Sequence, residues 1–407
     1  MKRFCILLLA LTLVLGLGQP VLAQTNLTVL WFNDANESEV FLETVADFKE
    51  AHPDIAIEMQ VIAFDGYENQ LKLMIAGGNA PDLARMTTAL MPTFVDNLEP
   101  LETYADIAAI EAAFAPSMLA YTTNSEGKIA AYPTEATANG MLVNKTAFQA
   151  VGIDVVELSK TWTWAEWEEA AKKVISSGGS TKYGLAVDFT PHRLSTILYQ
   201  FGGRMMNEDF TKVNFSNEGT INALNWFKRM HDEGLIPPSV WMGSENAAEL
   251  FQAGLVACHI GGSWNINTYS KITDFEWQAV PAPAGTMRSS VPGGKFIASF
   301  KDSANKEAAA QLMAWFSDAE HNAKYCLGTY NLSSRIDVSV EYPANTDSFA
   351  TFADELKVTP TYTAQEWKSP LIGKSSSIIK EQVVQMLLGA QTVEETVAAI
   401  DRMASEL

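Results

Sequence analysis

Three features of the chain predict an α/β fold. Leu27 to Phe32 is a run of branched and aromatic residues, Phe41, Val45 and Phe48 recur at helical spacing, and Ile55 to Val61 sets Ile57, Met59 and Val61 against Glu58 and Gln60, so the chain opens β-α-β with a parallel pair of strands. The stretch Ser244 to Asn265, SENAAELFQAGLVACHIGGSWN, places a helix, a buried strand and an aromatic side by side. The 407 residues, 47% hydrophobic and 19% charged, suffice for two cores of ordinary size.

The second of these organises the rest. Ser244 can cap a helix carrying Ala248 and Phe251, and Gly254 supplies the left-handed residue at which helices commonly stop. Leu255 to Ile260 is almost wholly apolar, as a strand buried on both faces would be. Gly261 and Gly262 then break the strand and deliver Trp264 to the end of a sheet, where open α/β proteins bind ligands. Packing is the competing reading of Trp264, as of any large aromatic.

The first 23 residues read as a cleaved secretory signal: Lys2 and Arg3, an apolar run from Phe4 to Leu17, then Val21-Leu22-Ala23 before Gln24. No later apolar run approaches the roughly 20 residues of a membrane span. Losing Lys2 and Arg3 takes the formal charge from −20 to about −22. A chain so acidic lacks the basic patch that a nucleic-acid partner needs. Cys258 and Cys326 remain in apolar settings; a disulfide between them is open but unforced.

In order, the helix through Tyr67, Leu71 and Met74 ends at Gly77-Gly78, and Asp82 to Ala84 begins a strand. Pro133 and Gly140 punctuate the stretch after Lys128. Thr163-x-x-Glu166 and Thr392-x-x-Glu395 are capping boxes. Tyr183 to Phe189, Phe275 to Val280 and Lys295 to Phe300 read as strands, with helices through Leu194, Ile221, Ala308 and Ser376.

Phe251, Gly254, Ala257, Gly262 and Trp264 resemble a segment of the family 1 extracellular solute-binding proteins, the maltose-binding-protein-like carbohydrate receptors of ABC importers; Cys258 replaces the usual methionine. IAGGNAPDLARM, the segment Lys128 to Phe148, Thr163-Trp-Ala-Glu166, Gly234-Leu-Ile-Pro237 and the tail after Thr392 resemble further family motifs in the right order, while TYNLSSRID lacks the family's proline. The resemblance implies two lobes, each a mixed sheet flanked by helices, joined by three crossovers. Residues 24–134 plus 290–334 would form one lobe and 135–289 plus 335–407 the other. It also implies a periplasmic, monomeric receptor that closes on a sugar and hands it to a membrane permease, with no cofactor.

Enzymatic signatures fail on inspection. Gly261-Gly-Ser263-Trp-Asn265 lacks the last glycine of a nucleophile elbow, and Gly373-Lys374-Ser375 lacks the leading glycine of a phosphate loop, since Lys368 stands there. His52, His192, His231, His259 and His321 show no metal spacing. Two distant carboxylates could still make a glycosidase.

A sugar receptor needs apolar faces for pyranose rings and short polar groups for hydroxyls. Trp31, Asn33 and Asp34 end the first strand, and Asp65 precedes the next helix; capping is the competing reading of Asn33, Asp34 and Asp65. Thr87 and Thr88 end the Asp82 strand, and Glu135, Thr137 and Asn139 occupy the first crossover that the resemblance implies. Asp188 and His192 follow the Tyr183 strand, and Trp241 either walls the cleft or packs. Gly293 and Gly294 let backbone approach a ligand, beside Lys295 at the second crossover and Arg335 at the third. If Lys295 and Arg335 both face the cleft, an acidic or phosphorylated ligand is the alternative.

Overall fold

The computed structural model describes residues 24–407, so the signal expected over residues 1–23 lies outside the described residues. The chain opens with strand β1 (Thr25–Trp31) and β2 (Ile55–Val61), paired in parallel from Thr25 against Ile55 to Trp31 against Val61. β3 (Leu83–Thr87) joins β1 in parallel on its other edge. Asp82 holds this corner: its carboxylate accepts from the Thr28 amide at 2.8 Å, the Thr28 hydroxyl at 2.9 Å and the Ser303 hydroxyl at 2.6 Å.

β4 (Tyr132–Asn144) is a single buried strand of 13 residues that runs through Pro133 and Gly140. Gly140 earns its place by close approach, because a Cβ there would lie 2.7 Å from the Phe352 ring. The remaining strands are β5 (Tyr183–Val187), β6 (Val256–Gly262), β7 (Trp277–Val280), β8 (Pro292–Ser299) and the two-residue β9 (Leu332–Ser333). Tyr132 to Ala138 of β4 pairs antiparallel with β8, and Asn139 to Val143 pairs antiparallel with β6. β4 therefore changes partner sheet between Ala138 and Asn139. The order β2-β1-β3-β8-β4-β6-β5, with β7 and β9 also on β4, is a mixed sheet in each half.

The cores follow the period of two that a strand imposes. Leu27, Val29 and Trp31 face one side of the first sheet with Ile297, whereas Leu30 and Phe32 face the other with Phe296 and Ala298. The second sheet has one core of its own, which also takes Phe349 and Phe352 from the helix Thr346–Val358 and Val397 and Ile400 from the helix Val393–Ala404.

Both capping boxes form as expected. Elsewhere the boundaries shift. Asn246, not Ser244, caps the helix Ala247–Gln252, its Oδ1 accepting from the Ala248 and Glu249 amides. Gly261 and Gly262 do not break β6 but lie within it, opposite Gly140 and Asn139. β8 begins at Pro292 rather than Lys295, so Gly293 and Gly294 are strand residues. Cys258 and Cys326 are free and buried, one in each half. Among the described residues no helix is long and apolar enough to cross a membrane.

Candidate functional site

The first half contributes a buried charge cluster at the C-terminal ends of β1 and β3. Arg85, 1% exposed, donates to the Phe32 carbonyl at 2.8 Å and to Glu135 Oε1 at 3.0 Å. Lys295 Nζ sits 2.8 Å from Asp34 Oδ2 and 3.2 Å from the same Glu135 oxygen. Glu37, from the first turn of the helix Glu37–Thr44, accepts from the Asp34 and Ala35 amides and so fixes the loop that carries Asp34. Three acids thus surround two bases.

These environments divide the carboxylates. Burial pushes Asp34 up, but Lys295 and Arg85 outweigh it and hold the group below the usual carboxylate range. Burial dominates at Glu37 and raises it. Burial disfavours the charged Lys295, yet Asp34 and Glu135 raise it overall.

The second half contributes a hydrogen-bonded chain. Thr190 caps the helix Pro191–Gln200, setting His192 and Arg193 in its first turn. Asn139 Nδ2 donates to the His192 carbonyl at 2.9 Å and the Thr196 hydroxyl at 2.9 Å, while its Oδ1 accepts from Arg193 Nη1 at 3.1 Å. His192 Nδ1 faces two donors, Asn139 Nδ2 at 3.1 Å and Arg193 Nη1 at 2.6 Å, so the network assigns its proton to Nε2. Burial and then Arg193 hold His192 well below its ordinary value, which keeps the ring neutral at pH 7. Asp188 accepts from His259 Nε2 at 3.0 Å and Arg193 Nε at 3.1 Å. Burial raises this carboxyl, and those two partners together bring it below the usual range.

Trp264 joins the halves. It follows β6, and its ring lies so close over Gly262 that a Cβ there would stand 1.9 Å from the indole Cη2 and 2.0 Å from Cζ3. The Arg193 guanidinium carbon is 4.3 Å from the centre of a Trp264 ring and Lys295 Nζ is 5.4 Å away. Gly293 lies between Thr137, Thr88 and His192, whose polar atoms would be 2.6, 3.5 and 3.9 Å from a Cβ at that position.

Asp34, Thr88, Glu135, Thr137, Asn139, Asp188, His192, Trp264, Gly293 and Lys295 are therefore linked through these contacts. Gly294 adjoins them, its carbonyl accepting from the Thr88 amide and its α-carbon facing Met118. Thr87 points its hydroxyl oxygen at the Leu90 amide. Asn33 is a local cap, accepting from the Ser38 amide and donating to the Ser38 hydroxyl. Trp31 is buried against Phe41, below Arg85. Trp241 is buried against Phe189 and Phe227, with Nε1 donating to the Val187 carbonyl. Asp65 is exposed beyond the end of β2, and Gly66 rather than Asp65 precedes the helix Tyr67–Ala76 as its cap. Arg335 does not meet Lys295: it binds Asp337 at 2.7 and 2.9 Å and the Ser317 carbonyl at 2.9 Å, stacked on Phe114.

Sequence reasoning missed Glu37, Arg85, Arg193 and Phe64. Glu37 reads as an ordinary first-turn acid, and Arg85 stands in IAGGNAPDLARM two residues past the part that matches the family pattern. Phe64, 48% exposed, follows β2 at the same C-terminal end of the parallel strands as Asp34 and Thr88, with its ring 4.9 Å from Phe32. A cavity of ≈ 550 Å³ is lined by Ala136, Leu332, Tyr342 and Phe349, among others. Ala136 alternates with Glu135 and Thr137 along β4, so this cavity lies on the face turned away from the cluster.

Two mixed sheets sharing a long strand, with polar groups and an aromatic converging where they meet, define a two-lobed binding protein. Residues 34–323 match the family of bacterial extracellular solute-binding proteins, and the chain belongs to it. That family is one of solute receptors rather than enzymes. A binding protein of Brucella abortus (strain 2308) is 25% identical over 344 residues, 81% of this chain and 80% of its own. The arabinooligosaccharide-binding protein of Halalkalibacterium halodurans is 23% identical over 74% of this chain and 68% of its own. The fold matches an ABC substrate-binding protein from Listeria monocytogenes, solved in complex with cycloalternan, with a TM-score of 0.81 at 22% identity over 94% of this chain and 98% of that one.

Proposed function

We propose that this protein is a monomeric periplasmic receptor, exported with loss of residues 1–23, that captures a neutral di- or oligosaccharide between its lobes and presents it to the permease of an ABC importer. The observation that carries the reading is Trp264, an incompletely buried indole presented at the sheet end beside hydrogen-bonding groups from both lobes. A CH-rich sugar face gains from leaving water against such a ring, and its hydroxyls must recover hydrogen bonds as the cleft closes. Asp34, Thr88, Thr137, Asn139, His192 and Lys295 are the proposed polar partners, and Phe64 a second apolar surface. The arabinooligosaccharide named for one relative and the cycloalternan of one fold neighbour support a carbohydrate.

The moving bodies would be residues 24–134 plus 290–334 and residues 135–289 plus 335–407, with the hinge in β4 near its change of partner. An acidic or phosphorylated ligand is the weaker reading. Arg335 is taken by Asp337, Lys295 by Asp34 and Glu135, and Arg193 by Asp188, so an anion meets no uncompensated cation. The test is a thermal-shift screen of residues 24–407 against neutral mono- and oligosaccharides, sugar acids and polyol phosphates. Ligand at a thousand times its dissociation constant adds about 4 kcal/mol to stability. Shifts with neutral sugars support the reading, and shifts confined to anions overturn it.

A further inference from the structure

We infer that Arg193 is a specificity-determining ligand donor in this cleft, held in place by a relay through Asp188 and His259 to Tyr269; the inference rests on the carbohydrate reading above. Arg193 spends Nε on Asp188 Oδ2 at 3.1 Å and Nη1 on Asn139 Oδ1 at 3.1 Å. Nη2 has no hydrogen-bond partner among the described residues, and it is not closed off from solvent although the side chain is only 13% exposed. The guanidinium carbon lies 4.3 Å from the centre of a Trp264 ring. Two N–H donors thus stand at the aromatic surface on which a sugar would stack.

The relay behind Arg193 leaves it little freedom. Asp188 Oδ1 accepts from His259 Nε2 at 3.0 Å, and His259 Nδ1 meets the Tyr269 hydroxyl at 2.7 Å. An ionised carboxylate only accepts, so the His259 proton is on Nε2 and Tyr269 donates to Nδ1. His259 is fully buried, and the Tyr269 ring stacks on Phe251 with centroids 4.8 Å apart. The relay runs from the helix Asn265–Tyr269, across β6, to the helix that carries Arg193.

The chemistry defines what is recognised. A guanidinium cannot accept, so Nη2 selects a ligand oxygen with a free lone pair beside the stacked ring. Asp188 balances its charge, so a hydroxyl suffices and an anion is not required. Because Arg193 is already immobilised, binding costs little further side-chain entropy. Asp188 has both oxygens engaged, which makes it a positioning residue rather than a ligand contact.

The test measures binding of maltose, D-tagatose, an arabinotriose and a galactotriose, then of the monodeoxy analogues of whichever binds, to wild type, Arg193→Gln, Arg193→Lys and Tyr269→Phe. One monodeoxy analogue should bind wild type about tenfold to a hundredfold more weakly than its parent. Arg193→Gln should abolish that ratio, Arg193→Lys should retain part of it, and Tyr269→Phe should reduce it while leaving the circular dichroism unchanged. An undiminished ratio in Arg193→Gln overturns the ligand contact. The relay is read separately, without sugar, from the Arg193 Nε–H resonance, identified by its loss in Arg193→Lys. Slow exchange in wild type and faster exchange in Tyr269→Phe are expected. A signal unmoved by Tyr269→Phe overturns the relay, whereas failure of the whole sugar panel to bind wild type overturns the carbohydrate reading.

Discussion

The Lys295 ammonium of β8 lies 5.4 Å from the centre of the Trp264 ring that follows β6, so a cation from one sheet meets an aromatic from the other. Removing the ring removes the proposed sugar platform while leaving both cores alone. Trp264→Ala should weaken the sugar found in the thermal-shift screen by roughly 1 to 3 kcal/mol by calorimetry, with the melting temperature of the free protein nearly unchanged. Unchanged affinity would reduce Trp264 to packing.

Gly262 gives a subtler route to the same ring. A methyl group there would stand 1.9 Å from the indole in its present position, so Gly262→Ala must swing Trp264 aside. Binding should fall about as far as in Trp264→Ala, with quenching by acrylamide revealing a more exposed tryptophan. Wild-type affinity in this variant would mean that the observed ring position is not the binding one.

The charge cluster should be a stability liability when broken. Glu135 is fully buried and is the common partner of Arg85 and Lys295. Glu135→Ala leaves two buried cations with less compensation and should cost about 3 to 5 kcal/mol in urea denaturation. A loss below about 1 kcal/mol would show that Asp34 and Glu37 suffice.

His231 offers a pH signature away from the cleft. Burial pushes it down to about 4, against an ordinary value near 6.5. Its folded-state pKa is depressed, so its contribution is complete above pH 6.5 and is lost as pH falls towards 4, at about 1.4 kcal/mol per unit. Its Nδ1 donates to the Phe227 carbonyl one turn back, and Nε2 is buried without a hydrogen-bond partner among the described residues. The stability of His231→Leu relative to wild type should therefore rise by about 2 to 3 kcal/mol between pH 7 and pH 4.5. A difference independent of pH would contradict the assignment.

The parallel opening, the buried strand before Trp264 and both capping boxes were readable because each depends on near neighbours in the chain. Trp31 and Trp241 were not distinguishable from Trp264 by residue type, because burial is decided by what packs from elsewhere: Phe41 covers one, and Phe189 and Phe227 flank the other. Arg335 was a cleft candidate at the third crossover, and in the fold it binds Asp337, two residues on. Arg193 carried no local signal, since its partners Asp188, Asn139 and Trp264 converge only when β4, β5 and β6 assemble. Gly261 and Gly262 read as a strand end because their partners in β4 are more than a hundred residues away.

The most direct test of the central claim is isothermal titration of residues 24–407 with the sugar selected by thermal shift, at low and high salt, with the sugar recovered afterwards. A neutral sugar captured by stacking and hydroxyl hydrogen bonds should bind with one site, an affinity nearly independent of salt, and recovery unchanged. Binding restricted to anionic ligands with affinity falling steeply as salt rises, or recovery of a cleaved sugar, would contradict the account.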